Sequence, residues 1–499
     1  MKAFFINCEL SFWRDAARIM VEDHGWNVAY WSGTKAIRDQ ISQSFPDAVF
    51  HLFHDAVKGI PPEEFAGDAY PALDQPLLEK LANCESVALK MMDRLGVVSS
   101  LNYQEQIRHY FRLVKYWRHV IEKLRPGVAV FPASPHVIYD YILYELCKLF
   151  SVKTVMFERT SIPGLVYPES RFEEGNPRLR SLYEAGLKNN GAVQLSATTE
   201  AHLEKIKSPY SEGAPAHVKF KNANLNESLG LLKKAYLLYT RGIPETYDKI
   251  PGRKIEDPEM TPLENLKKTR LGRLKRRELA LCWDRLAETP DLDKPFVYAA
   301  LHCQPERSTS PNGGVYAHQF LMVELLSQCV PQGWRVYVKE HPSQFKRFQR
   351  AERSKIPEFY EDMAALGNVT LVPLSMDSFE LIDRAKAVAT ISGSVGFEAV
   401  VRGTPVLLFG HAWFRWCEGT FFTADRESLV QAISAIESGY KVSEQRLRKY
   451  LHAVERIGTR GYIDSVYEKV LDIPGKENAA AIAKALEHHL REDTVEERQ

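Results

Sequence analysis

The apolar positions of this chain change period several times, and those changes divide it. Lys2 to Asn7 is a short apolar run that reads as a strand. From Phe12 to Asp23 the spacing becomes helical, and His24-Gly25 supplies a helix stop. Trp26 to Trp31 and Val49 to Phe53 predict two more strands. Strand, helix, strand at this spacing indicates a parallel βαβ unit. Helical periodicity runs from about Gln75 to Lys123, followed by a strand at Val128 to Phe131, a helix at Pro135 to Phe150 and a strand at Val152 to Phe157.

A second alternating pattern starts at Pro295. It predicts strands at Phe296 to Leu301, Trp334 to Lys339, Val369 to Leu371, Ala387 to Ile391 and Val406 to Phe409. Helices fall between them at Gly314 to Val330, Ser378 to Ala385 and Val395 to Val401. The intervening stretch, about Ala197 to Asp291, is helical and basic, most densely in ENLKKTRLGRLKRREL at 264–279. From Glu444 the chain is helical again, with a frayed polar end, REDTVEERQ. The expected fold class is therefore α/β. It has an N-terminal Rossmann-like domain (1–195), a helical basic connecting segment (196–292), a second Rossmann-like domain (293–440) and C-terminal helices (441–499) that return to the first domain.

Composition changes this picture little. A chain of 499 residues exceeds what one hydrophobic core supports. A net charge of +1 gives no ground for a nucleic-acid partner. The seven cysteines are scattered without CxxC spacing, so neither a disulfide framework nor a zinc site is expected. The first apolar run is broken by Asn7 and Glu9, unlike a signal peptide. No run approaches the ~20 apolar residues of a membrane span. The expectation is a cytoplasmic protein. Contact with the inner face of a membrane stays open through the basic 264–279 segment, whose plainer reading is a solvated helix face.

Two motifs carry chemistry. TISGSVGFEAVVRGTPVLLFG, from Thr390 to Gly410, reads strand, small-residue turn, helix, glycine stop, strand. Ser392, Gly393 and Ser394 let a phosphate approach the backbone, and the helix start behind them offers unpaired N–H groups and a positive dipole end. Glu398, one turn on, is placed to accept hydrogen bonds from a ribose. An N-capped helix in a plain sheet would look similar. VYVKEHPSQF ends a strand in Lys339, Glu340, His341 and Pro342, where ligands of open α/β sheets bind. His341 there can donate to a phosphate or act as an acid. A third feature, LHCQPERSTSPNGGVYAHQF, opens a polar loop holding Gln304, Glu306, Arg307 and Ser308, with Arg307 suited to a carboxylate or phosphate.

The His-Pro strand end, the Ser-rich turn with its GxExxxxGxPVLxxG continuation and the GHAWF segment at 410–414 resemble the bacterial capsule polysaccharide synthesis family, over roughly Phe296 to Phe422. That family includes Kdo transferases, and related elements occur in bacterial polysialyltransferases and teichoic-acid polymerases. The resemblance implies a GT-B glycosyltransferase with a deep interdomain cleft. It implies a CMP-sugar co-substrate, a surface glycan or glycolipid acceptor, and no other cofactor. Carried over, His341, Ser392 and Ser394 would hold the nucleotide phosphate, with Glu398 toward the ribose. Pro342, Lys339 and Gly393 complete the donor set.

The catalytic base is expected from the first domain, across the cleft, where Glu9, His136 and Glu158 end strands and Asp140 follows His136 by a turn. Glu158 is the leading choice, with His136 to orient the acceptor. No metal motif stands out, so metal-free transfer is expected, with helix dipoles and His or Arg stabilising the leaving phosphate. Alternatives are a CDP-alcohol phosphotransferase, a UDP- or GDP-sugar enzyme of the same fold, and an inactive scaffold of a glycan-assembly complex.

Overall fold

A computed structural model of the chain describes residues 1–92, 101–189, 191–209, 262–345 and 354–496. The part of the basic connecting stretch between 210 and 261 lies outside the described residues. The chain forms two α/β units, each around its own sheet, as the two alternating strand-helix patterns predict. Unit 1 joins Met1–Leu179 to the chain from Val454 onward; unit 2 runs within Arg180 to Ala453.

The unit 1 sheet contains β1 (Lys2–Ile6), β2 (Asn27–Gly33), β3 (Val49–Leu52), β4 (Val128–Phe131), β5 (Lys153–Arg159), β6 (Leu165–Glu169) and β13 (Thr459–Arg460), in the order β13-β6-β5-β4-β1-β2-β3. Strands β1 to β5 are parallel; β6 runs antiparallel to β5, and β13 antiparallel to β6. Both faces are covered, as parallel sheets require. Phe4, Ile6 and Tyr30 face a core with Trp117 and Tyr139, while Phe5 and Trp31 face Phe12, Trp13, Ile482 and Leu486. The helix Gly475–Glu496 packs on the helix Ser11–His24, so residues from the far end of the chain complete the first core. A fully buried Leu or Phe in such a core contributes about 1.5–3 kcal/mol.

Unit 2 contains β7 (Phe296–Ala300), β8 (Arg335–Lys339), β9 (Val369–Leu371), β10 (Ala387–Thr390), β11 (Val406–Leu408) and β12 (Thr420–Phe422), all parallel, in the order β12-β11-β10-β7-β8-β9. The helix Pro262–Leu286, which carries the basic stretch, buries Leu279, Cys282 and Trp283 in this unit's core and exposes Leu271 and Leu274. The helix Ala197–Lys207 packs on Ser394–Val401, and its end is held by Arg402, which donates to the Ile206 carbonyl at 2.8 Å.

Several elements differ from the pattern. Phe53 starts a short helix, Phe53–Lys58, because Gly59 in the left-handed region stops a turn right after β3. The helix predicted from Gly314 to Val330 breaks into a 3₁₀ turn, Gly314–Ala317, and the helix Phe320–Cys329. The last helix continues to Glu496, through most of the polar end read as frayed.

Candidate functional site

In unit 2 the chain leaves β7 for β8 and β9, then returns to the other side of β7 as β10. The strand order reverses between β7 and β10, and the crevice beyond their carboxyl ends is where open α/β sheets bind ligands. The loop after β7 and the Ser-rich turn after β10 meet there.

Two glutamines hold the loop. Gln319 accepts from the His302 amide at 2.6 Å and donates to the His302 carbonyl at 3.1 Å. Gln344 accepts from the Gln304 amide at 2.8 Å and donates to its carbonyl at 3.3 Å. Each side-chain amide mimics a neighbouring strand, so the backbone of β7 stays paired for several residues past the sheet. Both glutamines are fully buried.

His302 joins loop and turn. Its Nε2 accepts from the amides of Ile391 at 3.2 Å and Ser392 at 3.3 Å, and lies 3.1 Å from the Thr390 hydroxyl. An Nε2 that accepts carries no proton, so the ring is neutral with its proton on Nδ1. Burial lowers its pKa to about 3, with His341 and Lys355 adding like-charge repulsion.

The Ser392 hydroxyl donates to the Ser308 carbonyl at 2.7 Å, a second tie between turn and loop. Gly393 precedes the helix Ser394–Val401 and has no side chain to cap the amides behind it, while the Gly396 amide turns back to the Gly393 carbonyl at 3.0 Å. The amides of Ser394 and Val395 therefore form an uncapped helix start. A Cβ on Gly393 would lie 2.9 Å from His302 Cε1 and 3.0 Å from Thr390 Oγ1. Ser394 hydrogen-bonds the carboxyl of Glu398, whose pKa burial raises to about 7.

At the end of β8, Glu340 is a buried anchor. It accepts from Lys355 Nζ at 2.6 Å, from the Tyr360 hydroxyl at 2.7 Å and from the His341 amide at 2.7 Å. His341 is half-buried, and its Nδ1 accepts from the Ser343 amide at 3.1 Å, which leaves the neutral ring's proton on Nε2. Pro342 is exposed. Lys339, expected among the nucleotide ligands, is instead buried, with its amine donating to the Met376 carbonyl and, at 2.9 Å, to the Ser378 hydroxyl. Burial lowers its pKa to about 8, partly offset by Asp377.

Gln304, Glu306, Arg307 and Ser308 line one half-buried loop. The Glu306 carbonyl accepts from the Thr309 and Ser310 amides at 3.1 and 3.0 Å. The His411 amide donates to the Asn312 carbonyl at 2.8 Å, which docks the GHAWF segment on the same loop. The site thus gathers Ser392 and Gly393 directly around His302, with Ser308 joined through the Ser392 hydroxyl. His341 joins through Gln344, whose amide donates to the His341 carbonyl at 2.8 Å.

Unit 1 has its own reversal, between β1 and β4. Asn7, left-handed at φ 59, turns its side chain to Asp140, donating at 2.8 Å, and accepts from the Tyr139 hydroxyl. Ser32 Oγ accepts from the Asn7 amide at 3.0 Å. Asp140 also accepts from the Val137 amide at 2.7 Å, and burial raises its pKa to about 7 against those hydrogen bonds. His136 Nδ1 donates to the Ser134 carbonyl at 2.9 Å. Glu158 is half-buried at the end of β5, and its neighbour Arg159 pairs with Asp464 at 2.7 Å.

Sequence reasoning missed His302, Gln319, Gln344, Lys355 and the Asn7–Tyr139 pair. Only the position of His302, directly after a strand, could have drawn attention. Among the described residues no group of three or more His, Cys, Asp or Glu is placed to hold a metal ion, and no helix is long and apolar enough to cross a membrane.

Residues 307–454 match the family described as capsule polysaccharide biosynthesis protein. The matched stretch contains the Arg307 loop, His341, the Ser392–Ser394 turn and GHAWF. No curated protein matches the sequence. Similar solved structures include KpsC of Thermosulfurimonas dismutans, a beta Kdo 2,7 transferase, at 12% identity over 72% of this chain and 90% of that one, with a TM-score of 0.29. UDP-GlcNAc 2-epimerase from Methanocaldococcus jannaschii is similar at 11% identity over 92% and 99%, with a TM-score of 0.26. Anabaena HepE in complex with UDP-glucose is similar at 12% identity over 94% and 98%, with a TM-score of 0.26.

Proposed function

We propose that this chain is a glycosyltransferase of surface-polysaccharide assembly that uses a CMP-activated acidic sugar, Kdo or a similar one. The observation that carries the reading is the uncapped start of the helix Ser394–Val401, held at the strand-order reversal of unit 2 by His302 and Ser392. One helix start plus one His suits a donor whose leaving group has a single phosphate. Arg307 would meet the sugar carboxylate, and His341, with its proton on Nε2, would donate to the phosphate. Glu398 would accept from the ribose. Lys339 supports the site from behind rather than binding the donor. The match of residues 307–454 supports the capsule-synthesis part of the reading.

Glu158 and His136 are the proposed acceptor-side residues, the first as base or nucleophile and the second to orient the acceptor. The acceptor would be a surface glycan or glycolipid, reached from the cytoplasmic side of the membrane. The basic helix Pro262–Leu286 is the proposed contact with anionic lipid. No metal or cofactor is part of the proposal.

The test is calorimetric titration of the full chain with CMP, CDP, UDP and GDP without added metal, repeated for His341→Ala and Ser394→Ala. CMP binding best, and weakening in both variants, is the expected result. Preference for UDP or GDP would replace the donor class. Absence of all nucleotide binding would overturn the transferase reading.

A further inference from the structure

Unit 1 holds a cavity of about 640 Å³ that none of the donor chemistry uses. Three chain segments form it: the end of β6 with residues 176–178, the approach to β13, and the last helix from Ala481 to Arg491. Its lining includes Arg178, Arg456, Lys484, Arg491, His488 and His489, and among the described residues that line it none is acidic. Arg491 pairs with Glu487 just outside, and Arg456 and Lys484 give the lining an excess of two positive charges.

That excess stands out in a chain with 65 basic and 64 acidic residues. Cations scattered over a convex face are simply solvated. Here segments more than 270 residues apart turn them into one concavity, where a low-dielectric wall focuses their field on whatever enters. The walls are pinned. Asn176 donates to the Pro168 carbonyl at 2.7 Å, and Ser170 Oγ lies 2.9 Å from His489 Nε2. The volume lies within the range of small-ligand sites, about 300–1,000 Å³. The cavity is at the β13 edge of the sheet, three strand spacings, about 14 Å, from β4 and the Asp140 cluster.

We propose that this cavity binds an anionic stretch of the acceptor glycan, carboxylate- or phosphate-bearing, away from the residue that reacts. The glycan role rests on the transferase reading above; the anion site rests on the cavity alone. A growing acidic polysaccharide has a charge at every repeat, so a second contact would hold the chain without contributing to the transfer step. Affinity gained at such a remote contact appears in acceptor KM rather than kcat.

The probes are tetragalacturonate, inorganic pyrophosphate, and vesicles of phosphatidylglycerol in phosphatidylcholine. They are applied to the full chain and to the double variant Arg456→Glu/Lys484→Glu, whose positions are both exposed. Lys35→Glu, outside the lining, is a charge reversal elsewhere in unit 1 for comparison. Tetragalacturonate binds the wild type, its affinity falls with added salt, and the double variant loses about tenfold or more while Lys35→Glu does not. CMP binding in unit 2 and the melting temperature stay unchanged. Equal tetragalacturonate binding by wild type and double variant would overturn the proposal. So would binding of pyrophosphate alone, or of vesicles alone, lost in the same variant. If CMP fails to bind while the tetragalacturonate result holds, the anionic-glycan site stands and the transferase reading falls.

Discussion

The imidazole of His302 accepts a hydrogen bond from the amide of Ser392 at 3.3 Å, across the strand-order reversal of unit 2. The ring must be unprotonated to do so, and its pKa is lowered to about 3, first by burial. An unfolded chain takes up that proton near pH 6.5, whereas the folded chain refuses it until about 3. Acidification through this window therefore costs stability, up to about 1.4 kcal/mol per pH unit from this group. His302→Gln is expected to be less stable than wild type at pH 7.5, with the gap narrowing as pH falls below about 6.5. Urea unfolding at a series of pH values reads this directly, and a gap independent of pH would sink the assignment.

Lys355 and Glu340 form an ion pair at 2.6 Å with both side chains fully buried. Lys355→Met leaves a buried carboxylate without its cation and is expected to cost about 3–5 kcal/mol. The double variant Lys355→Met/Glu340→Gln should regain part of that loss. Denaturation midpoints of the three proteins test the coupling.

Gly393 is needed for space rather than for an unusual backbone angle. A methyl group there meets His302 and Thr390 at 3.0 Å or less. Gly393→Ala should destabilise by about 1–3 kcal/mol and weaken CMP binding, because the turn must move off His302. Unaltered nucleotide affinity would show that the turn does not touch the donor.

Glu398 combines a raised pKa, about 7, with a hydrogen bond from Ser394. If the carboxylate accepts from a ribose, CMP affinity rises as pH increases through 7. Glu398→Gln should flatten that rise. Calorimetry between pH 6 and 8 is the measurement, and an equally steep rise in the variant would exclude the role.

The Ser392–Ser394 turn and His341 were legible because strand ends and small-residue turns leave local marks. The two-unit α/β layout was legible for the same reason, since each β-to-helix change of period is a local event. His302 was not, because its importance comes from β10 lying beside β7, a pairing of distant segments with no local trace. Gln319, Gln344 and Lys355 escaped for a related cause. Each is a polar residue in polar-looking sequence that becomes buried only when the chain folds over it. Lys339 shows the converse, since a cation at a strand end reads as a ligand until its amine is seen to be satisfied by Met376 and Ser378. The strands β6, β12 and β13 were missed: Pro168 interrupts the apolar run of β6, and β12 and β13 are edge strands without a fully buried position.

The packing of Ile482 and Leu486 beside Phe12 and Trp13 also sets an order of events during synthesis. Domains usually fold as they emerge from the ribosome, first part first. Here the Arg180 to Ala453 unit has all its residues in hand before the opening unit does. Until residues 459–490 have been made, the face of the first sheet that carries Phe5 and Trp31 lacks part of its cover and β6 lacks its outer neighbour. The nascent chain must keep that apolar surface from aggregating for most of its elongation, and a ribosome stalled near residue 450 would release an unfinished beginning.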